Sequence, residues 1–361
     1  MFAKVHESVI ICSKTVIILV LKHTDNNDNI LTLNRKINIF KEALFMKRKK
    51  IVIFGGGTGL SYALRGLKEF PVDITAVITV SDDGRSTGRL REEFMIPAVG
   101  DIRKVLSNLS TLPQELSDIM EYRFDTYSDL NGHPIGSLIL TALMQKTGSL
   151  KDSIAYLSKL LQVRHTVYPV SEDYLTLMGE TTDGRIIEGE AELTHEHTTY
   201  KRLFYKEEPH VLPEVLNAAR EADLIILSMG SLFTSVLPHL LCGEVVAAIN
   251  ASPAKVMYIC NAMTQPGETD DFGVSDHVAV LEQYLGRPRV DVVIASNSKI
   301  SPEMLKKYET EEQKDQVLID YDKIKNKRYE LIESNLLTTE DGTIKHNTYK
   351  LAAEIFSYLM R

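Results

Sequence analysis

Short apolar, β-branched runs recur along the chain, each closed by glycine or polar residues. Ile51–Phe54, Ile74–Val80, Leu224–Ser228, Val256–Cys260 and Val290–Ala295 have this form. They are nearly continuous rather than alternating, as expected of strands buried on both faces. Between them apolar positions return at helical spacing, over Leu60–Lys68, Pro213–Glu221, Val236–Ile249 and Ser275–Tyr284. Strand–helix alternation predicts an α/β fold with a mostly parallel sheet and right-handed crossovers. The middle breaks the rhythm. Asp101–Leu109, Ile135–Lys146 and Ser153–Leu161 read as helices, and Thr166–Val170, Tyr174–Glu180 and Arg185–Leu193 read as strands. Thr182-Asp183-Gly184-Arg185 is a hairpin turn signal, with positive φ expected at both Asp and Gly. A small antiparallel insertion around residues 166–205 is therefore expected. The tail carries another turn signal at Glu340–Thr343 and a closing helix at Tyr349–Leu359.

At 361 residues, 44% hydrophobic and 25% charged, the chain has the make-up of a globular protein with a sizeable core. The net charge of −8 and the absence of a basic run beyond Lys47–Lys50 argue against a nucleic-acid partner. Cys12, Cys242 and Cys260 have no C-x-x-C spacing, which points to a reducing cytosol rather than a disulfide framework. Val9–Leu21 is too short to span a bilayer and is interrupted by Lys14, so no membrane insertion is expected. Residues 1–45 are expected to lie upstream of the functional start, with Met46 opening a single α/β domain over 46–361.

Ile51–Leu60 reads IVIFGGGTGL, a buried strand running into a glycine turn and a helix start. Gly55, Gly56, Gly57, Thr58 and Gly59 have the make-up of an anion cradle: backbone approaches closely where there is no Cβ, and helix N-termini offer free N–H groups. Gly55 and Gly57 match the first two positions of a dinucleotide fingerprint, but Leu60 occupies the third, which argues against a nicotinamide dehydrogenase. Ser81–Arg89, SDDGRSTGR, follows the second strand, where Asp82, Asp83 and Gly84 can meet ribose hydroxyls or a metal bridging phosphates; a solvated turn is the plain alternative. Arg89 can fork onto phosphate, whereas Arg91 reads as a surface arginine. Gly100–Arg103 opens a helix with Asp101 as its expected N-cap and Arg103 as a second anion candidate. Gly132–Gly136 carries His133, a donor or acid/base candidate. Ser228–Ser235 repeats the strand–turn–helix design with Gly230, Ser231 and Thr234. Asn261, Thr264 and Gln265 follow the fourth strand and suit a base or sugar. His195-Glu196-His197 reads as an exposed edge strand rather than a metal site. Asp82 and Asp83 are the adjacent carboxylates at a predicted site, and Mg²⁺ accompanying a nucleotide is the metal chemistry they suit; no cofactor is required.

IVIFGGGTGL, FPVDITAVITVSDDGRSTGRLR, PAVGDIRKVLSNLS, GHPIGSLIL, GSLFTSVLPHLL and VMYICNAMTQPGETDDFGVSDHV, in this order, resemble the gluconeogenesis factor family (YvcK), within the CofD-like group of 2-phospho-L-lactate transferases. The resemblance implies a Rossmann-like core with helices on both sheet faces. It also implies a cytosolic role in cell shape and gluconeogenic growth, and binding of UDP-sugars such as UDP-N-acetylglucosamine. A homo-oligomer and an unidentified protein partner are expected with it. The alternative it implies is a Mg²⁺-dependent CofD-like transferase. The family pattern is glycine where Arg85 stands, proline where Met229 stands and asparagine where Ser137 stands; near the tail Lys345 precedes His346-Asn347 where the family has Arg-His-Asn, and Lys345 joins the ligand candidates.

Overall fold

The structure is a computed structural model, and it describes residues 48–361 except His197 and Asp341. The expectations for residues 1–45, Cys12 and Met46 lie outside the described residues.

In chain order the strands are β1 (Lys49–Gly55), β2 (Val72–Ile78), β3 (Thr166–Pro169), β4 (Leu177–Thr181), β5 (Ile186–Glu188), β6 (Tyr200–Tyr205), β7 (Leu224–Leu227), β8 (Lys255–Ile259), β9 (Val292–Ser296), β10 (Glu330–Ser334), β11 (Leu337–Glu340) and β12 (Thr343–His346). Seven of them form one sheet in the order β10-β9-β8-β7-β1-β2-β3, with every neighbouring pair parallel. The chain runs outward from β1 to β3, then returns to the other side of β1 and runs outward again from β7 to β10. Strand order thus reverses between β1 and β7, the place where open α/β sheets leave a crevice at their carboxyl ends. Ile51–Phe54 and Leu224–Leu227 are buried throughout, so the apolar runs occupy the centre of the sheet as their pattern requires.

Helix α1 (Gly57–Leu67) follows β1 directly. The β2–β3 connection holds α2 (Arg85–Phe94), α3 (Gly100–Leu109), α4 (Gln114–Glu121), α5 (Ile135–Thr147) and α6 (Leu150–Leu160). Helix α1 packs against α3 and against the closing helix Thr348–Leu359. A small antiparallel sheet, β5-β4-β6, fills the connection to β7, and β11 pairs with β12.

Four expectations need correction. Thr166–Val170 belongs to the parallel sheet beside β2, not to the antiparallel insertion, which begins at β4; a four-residue strand carries no pattern that names its partner. The strand expected over Arg185–Leu193 ends at Gly189, whose φ of +96° turns the chain into α7 (Glu190–His195). His195 consequently closes a helix rather than lying on an edge strand, and His197 lies outside the described residues. The hairpin turn forms, with Thr181 N–H donating to Arg185 O at 2.9 Å, but only Gly184 takes positive φ. Finally, the helix expected over Val236–Ile249 is broken. Leu232–Leu240 and Gly243–Ala251 meet at 75°, where Pro238 and Gly243 punctuate the pattern. Among the described residues no single helix is long and apolar enough to cross a membrane.

Candidate functional site

At the end of β1 the glycines let other parts of the protein in. A Cβ on Gly59 would lie 2.3 Å from the Met229 carbonyl oxygen, and one on Gly56 would lie 2.7 Å from Thr79 Oγ1 and 2.8 Å from an Asp101 carboxylate oxygen. The turn after β7 therefore lies directly on the turn after β1. Gly57 takes φ +64° and donates its N–H to Asp101 Oδ2. Asp101 does not cap its own helix, which starts after Val99 without a side-chain cap. Its carboxylate instead occupies the N-terminus of α1, where the sequence placed a phosphate. Thr58 is exposed and Gly57 and Gly59 are half-buried, so the outer rim of the turn still faces the crevice. Lys345 reaches the same helix, with Nζ 5.3 Å from the Tyr62 ring centroid.

The loop after β2 has a different character. Asp82 and Asp83 diverge. Asp83 Oδ1 accepts from Ala191 N–H at 2.8 Å and so caps α7. Asp82 accepts from Gly84 N–H at 3.0 Å and faces Asp101; burial, then the Asp101 charge, raise its pKa. The two carboxylates expected to meet Mg²⁺ thus bond to different parts of the protein, and among the described residues no group of three or more His, Cys, Asp or Glu side chains could hold a metal ion. Beside Asp82 opens a cavity of about 270 Å³, lined by Gly84, Arg85, Ser86, Thr87, Gly100, Arg103, Lys104 and Arg123. Arg103 is buried there, held by both Glu121 carboxylate oxygens at 3.0 and 2.9 Å and by Ser137 Oγ at 3.3 Å. Lys104 pairs with Asp101 at 3.0 Å. His133 Nδ1 lies 2.8 Å from Ser86 Oγ, and its pKa is lowered by burial and by Arg89, which keeps the imidazole neutral near pH 7. Arg89 itself serves the protein: Nη2 donates to Asn131 O at 2.5 Å.

At the ends of β7 and β8 the candidate ligand readers hydrogen-bond to the protein, Asn261 and Gln265 half-buried and Thr264 buried. Asn261 Nδ2 donates to Gly230 O at 2.6 Å while its Oδ1 accepts from Gly230 N–H at 3.4 Å, so one amide fixes the β7 turn. Thr264 is bonded through Oγ1 to Asp315 N–H at 2.8 Å. Gln265 Nε2 donates to Glu268 Oε1 and Ser231 Oγ to Glu268 Oε2, both at 2.7 Å. Ser231 also accepts from Thr234 N–H at 2.9 Å, capping the helical turn that follows.

Several residues shape this site without having been singled out. Arg91, read as a surface residue, is 2% exposed, and its guanidinium donates to the carbonyls of Ser81 (2.6 Å), Asp82 (3.1 Å) and Leu175 (2.6 Å). Its signal was available, since Thr87, Leu90, Arg91 and Phe94 make one helical stripe. His239 is buried behind the glycine turn, with Nε2 3.1 Å from Gly55 O, and burial lowers its pKa to about 4, so the neutral ring donates. Glu268 is pushed up to about 7 by burial. Glu190 is raised well above the usual carboxylate range by burial and then by Asp82, Asp101, Asp83 and Glu268. No short-range pattern brings these acids together; the sheet does. Cys242 and Cys260 are buried, and burial pushes both thiols up to about 12. That leaves them packed as small hydrophobes, as their apolar surroundings in sequence imply.

The sequence profile of the family described as 2-phospho-L-lactate transferase CofD matches residues 51–337. The gluconeogenesis factor of Bacillus subtilis is 42% identical over 314 residues, 87% of this chain and 99% of that protein. The gluconeogenesis factor of Halalkalibacterium halodurans is 41% identical over 86% of this chain and 96% of that protein. A crystal structure of a Bacillus halodurans protein superimposes with a TM-score of 0.83 at 41% identity, covering 86% of this chain and all of that one. The parallel sheet, its reversal between β1 and β7 and these matches agree: the chain belongs to the CofD family, among its gluconeogenesis factors.

Proposed function

We propose that the protein is a regulatory protein that binds a nucleotide sugar of the UDP-N-acetylglucosamine type, acting in the cytoplasm on cell shape during growth on gluconeogenic carbon. The observation that carries this reading is the basic cavity of about 270 Å³ beyond the end of β2, the strand that neighbours β1 in the sheet. A diphosphate there meets Arg85, Arg103, Lys104 and Arg123 together with the Ser86 and Thr87 hydroxyls, in a chain whose overall charge is −8. Guanidinium forks and hydroxyls suit phosphate oxygens. The exposed Thr58 and the half-buried Gly57, Gly59, Gly230 and Ser231 are the groups proposed to meet nucleoside and sugar. This moves the diphosphate from the glycine turn, where Asp101 already takes the Gly57 N–H, to the loop after β2.

The test is thermal stability with UDP-N-acetylglucosamine, UDP-glucose, GDP, NAD⁺ and NADPH, each with and without Mg²⁺. A ligand at a hundred times its Kd stabilises by about 2.7 kcal/mol, which raises Tm by several degrees. A rise confined to UDP-sugars is expected; no rise with any UDP-sugar overturns the reading. A second reading, a CofD-like transferase, draws on one contact, the neutral His133 within 2.8 Å of Ser86 Oγ at the cavity wall. A Tm rise with GDP only when Mg²⁺ is present, plus product from a guanylylated donor, would put that reading first.

A further inference from the structure

We infer that Arg85 is a specificity-determining residue of the cavity, kept at the expense of backbone comfort because it completes a two-guanidinium clamp for a diphosphate group. Three observations meet at this residue.

The first is conformation. Arg85 has φ +45°, in the left-handed region that glycine adopts freely and a long side chain adopts at a cost. It follows Gly84 and opens α2, so no glycine-rich stretch beyond it relaxes the turn. Strain of this kind persists where the surroundings hold it and clusters at ligand-binding sites.

The second is charge balance. Four cations line the cavity, with Asp82 as the carboxylate among them. Arg103 is neutralised by Glu121 and Lys104 by Asp101. Arg123 donates only to a neutral group, the Gly132 carbonyl at 2.7 Å. The Arg85 side chain makes no hydrogen bond or ion pair with any described residue. Two guanidiniums therefore face one cavity without an ion-pair partner of their own; Asp82, which shares the cavity, accepts from the Gly84 N–H and pairs with neither.

The third is what the strain does not serve. Arg91, in the same helix, shows what a structural arginine looks like here: buried, with three carbonyl partners. Arg85 is exposed and partnerless, so its side chain adds nothing to the fold that glycine would not. Two free guanidiniums match the two charges of a diphosphate, and each can fork onto a pair of phosphate oxygens.

The inference rests on the proposed reading only in that the cavity takes a diphosphate; the identity of the nucleoside and sugar does not enter. The experiment is calorimetric titration of the full chain and of its Arg85→Gly, Arg85→Lys and Arg123→Gln variants with inorganic pyrophosphate and, separately, UDP-N-acetylglucosamine, with Tm measured for each without ligand. Arg85→Gly is expected to weaken pyrophosphate binding by tenfold to a hundredfold while leaving Tm unchanged or a few degrees higher. Arg85→Lys, which keeps the charge but loses the fork, should fall between. Arg123→Gln should weaken binding to a similar degree as Arg85→Gly. Equal pyrophosphate affinity in the parent and Arg85→Gly, or a marked fall in Tm for Arg85→Gly, overturns the inference, the second outcome by making Arg85 structural. Absence of pyrophosphate binding in the parent overturns it too. Arg85-dependent pyrophosphate binding without UDP-N-acetylglucosamine binding leaves the inference standing and removes the nucleotide-sugar reading. Arg85-independent binding of UDP-N-acetylglucosamine does the reverse.

Discussion

The turn after β1 and the loop after β2 are built to one plan, strand, glycine-containing turn and helix N-terminus, and they end up doing different things. In the first, the space that glycine opens is filled by the protein: the Met229 carbonyl against Gly59, Thr79 and Asp101 against Gly56, and the Asp101 carboxylate on the Gly57 N–H. In the second, the glycines again admit protein, since a Cβ on Gly88 would lie 2.1 Å from Asp83 O, but the helix start opens on a cavity with unbalanced positive charge. Glycine density reports that backbone approaches something closely. Whether that something is a ligand depends on what the rest of the fold brings to the spot.

The largest expected effects come from closing the glycine contacts. Gly59→Ala drives a Cβ into a backbone carbonyl that cannot rotate away, and Gly88→Ala does the same at Asp83. Each should cost about 3 kcal/mol, as overpacking against fixed atoms does. Gly184→Ala, with nothing within 4 Å and φ +89°, should cost only about 1 kcal/mol from left-handed backbone strain. Urea unfolding of the three variants checks the ranking, and equal losses at all three would remove the distinction between filled and open turns.

Next is the acid that holds the turn after β7, through Ser231. Glu268 has its pKa raised to about 7 in the folded protein, against 4.5 as the ordinary value. The folded state then holds a proton that the unfolded state has released, so stability falls as pH rises from about 4.5 to about 7 and is level above that. Removing the charge with Glu268→Gln should flatten this slope and raise stability at pH 8 by about 3 kcal/mol. Glu190 and Asp82 are raised in the same direction and leave a residual slope. His239 and His346 act oppositely: both are lowered to about 4. Their stabilisation is complete above about 6.5 and is lost as pH falls towards 4. Denaturation midpoints across pH 4–8 for both proteins decide it, and an unchanged slope in Glu268→Gln would show that Glu268 is already ionised at neutral pH.

Arg91→Met tests the frame of the second loop. It preserves side-chain bulk but leaves the buried carbonyls of Ser81 and Leu175 without a donor, at a cost of about 2 kcal/mol. Urea unfolding should show this loss, together with faster hydrogen exchange in residues 81–84. The smallest effect sharpens the comparison itself. Asp101→Asn keeps an oxygen for the Gly57 N–H and removes a negative charge beside both turns, so stability should change by about 1 kcal/mol or less. Pyrophosphate affinity should rise severalfold in the same variant. A fall in affinity would mean that the Asp101 charge takes part in binding instead of opposing it.

The parallel sheet was legible because each buried strand must be apolar along its whole length, and Ile51–Phe54 and Leu224–Leu227 leave no other reading. The glycine turns, the SDDG loop and Arg103 were legible as places where chemistry gathers. What those residues face was not. Asn261, Thr264 and Gln265 have the side chains of ligand readers, yet Gly230, Asp315 and Glu268 take their hydrogen bonds. Asp82 and Asp83 are neighbours in sequence, but adjacent residues in an extended loop point apart, and one goes to the cavity while the other caps α7. Arg91 and Arg85 carry the same guanidinium six residues apart, one buried on carbonyls and the other free beside a cavity. Local sequence determines which backbone shapes and side-chain chemistries are on offer. Partnership depends on contacts between residues far apart in the chain, such as Asp101 with Gly57 and His239 with Gly55, and only the folded sheet brings those together.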